Sequence, residues 1–242
     1  MSIVRMPGSR TLSMIWSRTS LGCRRVALHL YGGLPELALE SILPQPIPLE
    51  DLILDDVCMP PYAGTADHDD MTPLLMLARH FAPNLIVELG TAYGNTVANL
   101  CKQVPGCRII TVNAPAARQS GRMTTYSLTD YEIGRVYSKL GYQDRVTQIL
   151  VNTLDLDLSA ITPKPEVGLA IVDACHDTEY VINDFLKITP FMEPGGLVLL
   201  HDTHPSLEAH LIGSYTACVR LRRQGFEIAH IENTWWGIWR AP

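Results

Sequence analysis

Five short runs of Val, Ile and Leu constrain this chain more than any other feature: "NLIVELG" from 84, "RIITVN" from 108, "RVTQILVN" from 145, "GLAIVD" from 168 and "GGLVLLHD" from 195. An antiparallel strand with one wet face alternates apolar with polar, whereas a strand apolar at successive positions is covered on both sides. Parallel neighbours also need crossovers of a dozen or more residues, usually helical. The intervening stretches supply them: "NTVANLCKQV", "YEIGRVYSKLG", "TEYVINDFLKITPFM" and "SLEAHLIGSYTACVRLRRQG", with "MTPLLMLARHF" ahead of the first strand. Asp70 reads as the N-cap of that first helix, with Pro73 in its opening turn. Thr129 and Glu132 have capping-box spacing, and Gly141 stops the following helix. The end, "FEIAHIENTWWGIWR", reads as two strands joined at Asn233-Thr234. The expected fold is α/β: a doubly wound, mostly parallel, seven-stranded Rossmann-like sheet with a C-terminal antiparallel hairpin.

The first 66 residues do not share this rhythm, and the expected boundary sets 1–66 as an accessory arm against a domain at 67–242. Arg5, Arg10, Arg18, Arg24 and Arg25 precede any acid. Acids from Glu36 to Asp70 then follow with no Lys or Arg among them. An Arg- and Ser-rich start fits an organelle transit peptide and equally a helical arm that packs on its own domain or mediates a homodimer. The arm is the reading adopted, with a cytoplasmic location. A net charge of −6 provides no global field for nucleic acid, and no apolar run reaches the ~18 residues of a membrane span. Six scattered cysteines without regular spacing read as reduced thiols.

Ligands of open parallel sheets bind beyond the carboxyl ends of the strands, where the strand order reverses. The first strand ends in Glu88-x-Gly90-x-x-x-Gly94-x-Thr96. Gly90 permits a tight turn and close approach of backbone to ligand, and Gly94 permits close packing where the helix starts. Thr96 falls in the first helical turn, among N–H groups that favour an anion. Neither the dinucleotide fingerprint nor a phosphate loop is present, and a plain strand-to-helix turn is the competing reading.

"VELGTAYG" resembles the first motif of class I S-adenosylmethionine-dependent methyltransferases. "VDACHDTEYVINDF" followed by "PGGLVLLHD" is similar to a branch that includes O-methyltransferases of sugars and natural products. Asp173, His176, Glu179, Val181 and Asp184 match it, as do Pro194, Gly195, Gly196, His201 and Asp202. The resemblance covers residues 70–242. It implies an S-adenosylmethionine pocket lined by Glu88, Gly90, Gly94, Thr96, Asn113, Asn152 and Asp173. It also implies a divalent metal (Mg²⁺, Mn²⁺ or Fe²⁺) on Asp173 and Asp202, with His201 as third ligand; the imidazole shifts preference away from Mg²⁺. This sequence departs from the branch twice. Asn113 stands where an acid usually holds the ribose, and Cys175 stands where an acid is expected near the reacting hydroxyl.

Methyl transfer needs alignment more than covalent chemistry, so Cys175 as a nucleophile is not expected. A neutral imidazole is the natural proton acceptor at physiological pH. His176, three residues past Asp173, is the first candidate and His204 the second. A cap or loop hydrogen bond is the bland role for either, and Asp177 and Asp202 have the same helix-capping alternative. The long stretch 114–131, with Arg118, Arg122, Tyr126 and Tyr131, reads as a lid or an ordinary loop. Trp235, Trp236 and Trp239 line an acceptor pocket or the core. The leading expectation is an enzyme that methylates a hydroxyl of a small-molecule acceptor. A C- or N-methyltransferase, and a non-catalytic binding protein with a vestigial pocket, are the alternatives.

Overall fold

Each apolar run is a strand in the computed structural model, which describes residues 33–51, 53, 66–118, 128–203 and 212–242. The strands are β1 (Glu36–Leu37), β2 (Leu85–Leu89), β3 (Arg108–Asn113), β4 (Val146–Leu150), β5 (Val167–Val172), β6 (Met192–Leu200), β7 (Ala229–Ile231) and β8 (Gly237–Arg240). The helices are α1 (Leu39–Ile42), α2 (Ala66–Phe81), α3 (Asn95–Gln103), α4 (Arg135–Lys139), α5 (Thr178–Ile188) and α6 (Ile212–Arg223). One sheet holds all the strands in the order β1-β7-β8-β6-β5-β2-β3-β4. Every pairing is parallel except the two made by β8, against β6 and β7.

Alternation along the central strands divides the core in two. Val87, Leu89, Val112, Ala170, Val172, Val198 and Leu200 face α5 and α6 around Phe185 and Trp239. Ile86, Ile109, Leu169, Ile171, Leu197 and Leu199 face α2, α3 and α4. Both sides of the sheet are dry at its centre, which is why β2, β3, β5 and β6 read as apolar runs rather than alternating ones. No helix among the described residues is long and apolar enough to cross a membrane.

Three local expectations are corrected. The sheet has eight strands rather than seven, because Glu36–Leu37 pairs with His230–Ile231 at its edge. The boundary at residue 66 therefore divides the chain but not the sheet. Glu50 and Ile53 also lie against the domain: Gln103 and Asn99, one turn apart on α3, exchange a pair of hydrogen bonds with the backbone of Glu50 and of Ile53 respectively. Second, Asp70 is not an N-cap, since α2 begins at Ala66 and places Asp70 a turn inside. Third, Thr129 and Glu132 make the side-chain contact of a capping box, but α4 starts only after Gly134, whose left-handed φ of 70° separates the two.

The connection out of β2 leads through β3 to β4 at one edge, and the chain then returns to lay β5 on the other side of β2. The carboxyl ends of β2 and β5 thus flank the reversal, the place where such sheets bind ligands.

Candidate active site

Hydrogen bonding continues one residue past the strands at this reversal. The N–H of Asp173 donates to Leu89 O at 2.8 Å, that of Gly90 to Val112 O at 2.8 Å, and that of His201 to Val172 O at 3.0 Å. These bonds seat the ends of β2, β5 and β6 side by side. Gly90 has φ 111°, and a Cβ on it would lie 2.0 Å from the Asp173 carbonyl oxygen. Only glycine permits this approach. Gly94, at φ 84°, is enclosed by Tyr137 and Gly134, where a Cβ would come within 2.7 Å of the tyrosine ring.

Glu88 does not reach the crevice surface. It is 1% exposed, and its Oε2 accepts the Thr111 hydroxyl at 2.5 Å. Thr111 meets Thr91 at 2.7 Å, Gln148 Nε2 donates to Thr91 at 3.1 Å, and the Tyr137 hydroxyl donates to Gln148 at 2.9 Å. This buried chain runs beneath the glycine loop. Burial pushes the Glu88 carboxyl up to about 8, against the lowering effect of the Thr111 hydrogen bond. Asn113 ties down the same loop: its Oδ1 accepts Ala92 N–H at 3.1 Å and its Nδ2 donates to Ala114 O at 2.9 Å. Thr96 lies half-buried in the first turn of α3. Asn152, beyond the end of β4, accepts Leu154 N–H with its side chain.

On the other side of Gly90 a knot of ionisable groups forms. His176 Nε2 lies 2.9 Å from Asp202 Oδ2 and 3.4 Å from Asp173 Oδ1. His201 Nδ1 lies 3.2 Å from Asp173 Oδ1 and 3.3 Å from Asp202 Oδ1. Its Nε2 faces Asp70 Oδ2 at 3.0 Å. Asp202 sits at φ 59°, a left-handed conformation unusual for a residue with a Cβ and typical of strained functional positions. Asp173 is the most open member, about a third exposed.

Electrostatics follow from this crowding. Burial would raise Asp173, but His201 and His176 hold its carboxyl well below the ordinary value. Burial opposes charge on His176, yet hydrogen bonds to Asp173 and Asp202 outweigh it and lift the imidazole to about 9. His201 is likewise raised well above its ordinary value, the pull of Asp173 and Asp202 overcoming burial. Burial raises Asp70, with the His201 hydrogen bond working against it. With a pKa near 9, His176 is mostly protonated at neutral pH and bridges the two acids as a donor.

Asp173, His201 and Asp202 each offer a ligand atom, all within 4.8 Å of one another. Two carboxylate oxygens and an imidazole nitrogen aimed at one small volume demand positive charge there, from protons or from a cation. The donor set fits a divalent cation of intermediate softness. The structure therefore brings together His176, Asp173, His201 and Asp202, beside Gly90. It places Glu88 in a supporting network rather than at the surface. His204 lies outside the described residues, as do Arg122 and Tyr126. Arg118 pairs with Asp155 at 3.0 Å, and Tyr131 is exposed. Asp177 occupies the N-cap position of α5 but makes no side-chain cap bond. Asp184 points into the core, where Asn183 donates to it at 2.9 Å.

For two participants the sequence signalled another role, a helix cap for Asp70 and a pocket or core position for Trp236. Asp70 lies 131 positions from His201, and its acid-rich surroundings read only as a helix start. Trp236 covers the His201 ring, with centroids 4.5 Å apart. Its neighbour Trp239 is core, edge-on to Phe185 and Phe226.

Residues 87–203 match a family profile described as "Methyltransferase domain". That span contains Gly90, Gly94, Asn113, Asp173, His176, His201 and Asp202. No relative among curated protein sequences matches the chain. Among solved structures it is similar to the cofactor-bound Rv0187 from MTB (19% identity, 74% of this chain and 81% of that one, TM-score 0.51). A candidate O-methyltransferase from Klebsiella pneumoniae is also similar (18%, 96% and 100%, 0.51). So is a candidate caffeoyl-CoA O-methyltransferase from Staphylococcus aureus (14%, 93% and 100%, 0.53). At these identities the structures speak to fold alone. Residues 87–203 are thus similar to a methyltransferase domain, in a fold shared with the solved structures of candidate O-methyltransferases.

Proposed function

We propose that this protein transfers a methyl group from S-adenosylmethionine to a hydroxyl of a small molecule, a sugar or natural product, assisted by a divalent cation on Asp173, His201 and Asp202. One observation carries the reading: the glycine cradle and the cation-demanding cluster share a single crevice, and Asp173 belongs to both. Its carbonyl oxygen sits where a Cβ of Gly90 would be, and its carboxylate faces His176 and His201.

The cofactor supplies a methyl already activated by its sulfonium, so the protein's task is alignment and proton removal. Gly90 and Gly94 let backbone approach the methionine part. Glu88, through Thr111 and Thr91, holds that loop in place from beneath. Thr96, Asn113 and Asn152 are assigned to the nucleoside side, Asn113 in place of an acid. Asp173, His201 and Asp202 would hold the cation, which would supply positive charge to lower the pKa of the acceptor hydroxyl. His176 is assigned as proton acceptor, with His204 next in line: a cation on Asp173 and Asp202 would offset the carboxylates that keep its Nε2 protonated and so free that atom. The same reading takes residues 1–66 as an accessory arm of a cytoplasmic enzyme that pairs two chains. Light scattering of the full chain and of one lacking residues 1–32 tests the pairing: two chains per particle should fall to one, and one chain in the full protein, or two in both, would refute it.

Methyl transfer is tested directly by incubating the protein with methyl-labelled S-adenosylmethionine and a panel of polyhydroxylated sugars and phenols, with and without Mn²⁺. Label on an acceptor oxygen, lost in Asp173→Ala and strongly reduced in His176→Ala, is the expected result. A near-native rate in His176→Ala would remove it as the base, and label on carbon or nitrogen would change the reaction class.

A further inference from the structure

His201 has two ring nitrogens, and only Nδ1 faces Asp173 and Asp202. What turns the ring that way lies outside the strand ends. Asp70, from α2, meets Nε2 at 3.0 Å through its Oδ2. The aspartate is fixed at two further points: its Oδ1 accepts the Trp235 N–H at 3.1 Å, and its carbonyl accepts Trp236 Nε1–H at 2.8 Å. Trp236 in turn lies tilted over the imidazole, centroids 4.5 Å apart. The ring is thus gripped by one acid at its edge and one indole across its face.

An ionised carboxylate can only accept, so the proton on this side of the ring belongs to Nε2. A neutral imidazole carrying its proton there has its lone pair on Nδ1, directed at the two carboxylates. A metal-binding histidine almost always donates its other N–H to a carboxylate or carbonyl, which sets tautomer and orientation and strengthens the ligand. We propose that Asp70 is a positioning residue for the metal centre: it accepts the Nε2–H of His201 and so presents Nδ1, with Asp173 and Asp202, to a divalent cation such as Mn²⁺ or Fe²⁺. The inference rests on the metal reading above and adds to it the fourth side chain on which the site depends. It also makes α2 part of the site, although the helix contributes no ligand.

Calorimetric titration of Mn²⁺ alone into the full chain tests it, without reference to activity. Asp70→Ala is expected to weaken binding about 10- to 100-fold, the usual cost of losing such a partner. Asp70→Asn is expected to fall between, because an amide facing both the His201 and Trp235 N–H groups can accept from only one of them well. In a His201→Ala background the Asp70 change should alter affinity less than about twofold, since a residue acting through His201 has nothing left to position. Wild-type affinity in Asp70→Ala, or an equal loss with and without His201, overturns the proposal while leaving the metal reading intact. If the wild-type chain takes up no Mn²⁺, or Asp173→Ala binds it undiminished, the metal reading itself fails and this inference with it. Nitrogen-15 NMR of the histidine-labelled wild-type chain with Zn²⁺ gives an answer even if the Asp70 variants do not fold. Nε2 of His201 should stay protonated while Nδ1 binds the ion; a protonated Nδ1 contradicts the assignment.

Discussion

Glu88 combines complete burial with a carboxyl raised to about 8, and this makes it a sensor of pH in the folding equilibrium. Its folded value lies above the ordinary 4.5, so the native state holds a proton that the unfolded chain releases between about pH 4.5 and 8. Stability from this group is present below pH 4.5 and drains as pH rises through 8, by at most about 1.4 kcal/mol per pH unit. Glu88→Gln, which keeps the shape without the charge, should match the wild type near pH 4.5 and exceed it at pH 8. Thermal melts across that range check this, and parallel curves for the two proteins would contradict it. Gly90 offers the opposite kind of residue-scale test. In Gly90→Ala the new methyl meets the Asp173 carbonyl at 2.0 Å in a left-handed conformation, so a loss of several kcal/mol is expected. Urea unfolding measures it. The sequence motif pointed to both residues; for Gly90 spacing suggested a tight turn, while the close approach in the structure is to the Asp173 backbone. The role of Glu88 depends on Thr111, 23 positions away and opposite it in the sheet, and such pairings are set by register rather than by local pattern.

At the scale of elements, what was legible and what was not separate along a physical line. Strands β2, β3, β5 and β6 are covered on both faces over most of their length, and that condition writes itself into composition as Val/Ile/Leu runs. Strand β1 has two residues at an edge, paired only with β7, too short for any periodicity. Helix α4 was expected to be longer because the capping-box residues are present. Gly134 intervenes at positive φ, so the box closes a turn instead of a helix. Glu50 and Ile53 belong to a stretch with no hydrophobic period, and the amides of Gln103 and Asn99 hold their backbone groups much as a neighbouring strand would. Replacing both amides with Ala should release the segment at a cost of about 1 kcal/mol per hydrogen bond lost. Limited proteolysis should then cut near residue 53 markedly faster than in the wild type. Equal cutting rates would mean that the apolar contacts of Leu49 and Ile53 with the core suffice.

Over the whole molecule, one crossing of the chain creates the crevice. The return from β4 to β5 beside β2 sets Gly90 against Asp173, and β6 adds His201 and Asp202 on the far side. The β7–β8 hairpin and α2 close around His201 from behind. The residues that would touch cofactor and cation come from strand ends that the sequence announces. Those that hold them in place, Asp70, Trp236, Thr111 and Gln148, come from elements remote in the chain, and only the assembled fold reveals them. A ligand that binds the native state alone raises the melting temperature, the more so the further its concentration exceeds its dissociation constant. S-adenosylhomocysteine and Mn²⁺ should therefore each raise it, and together raise it further. The most direct measurement is calorimetric titration of S-adenosylhomocysteine into the wild-type chain and into Gly90→Ala. The account predicts one-to-one binding in the wild type and its loss in the variant. No binding to the wild-type chain, or undiminished binding to Gly90→Ala, would contradict it.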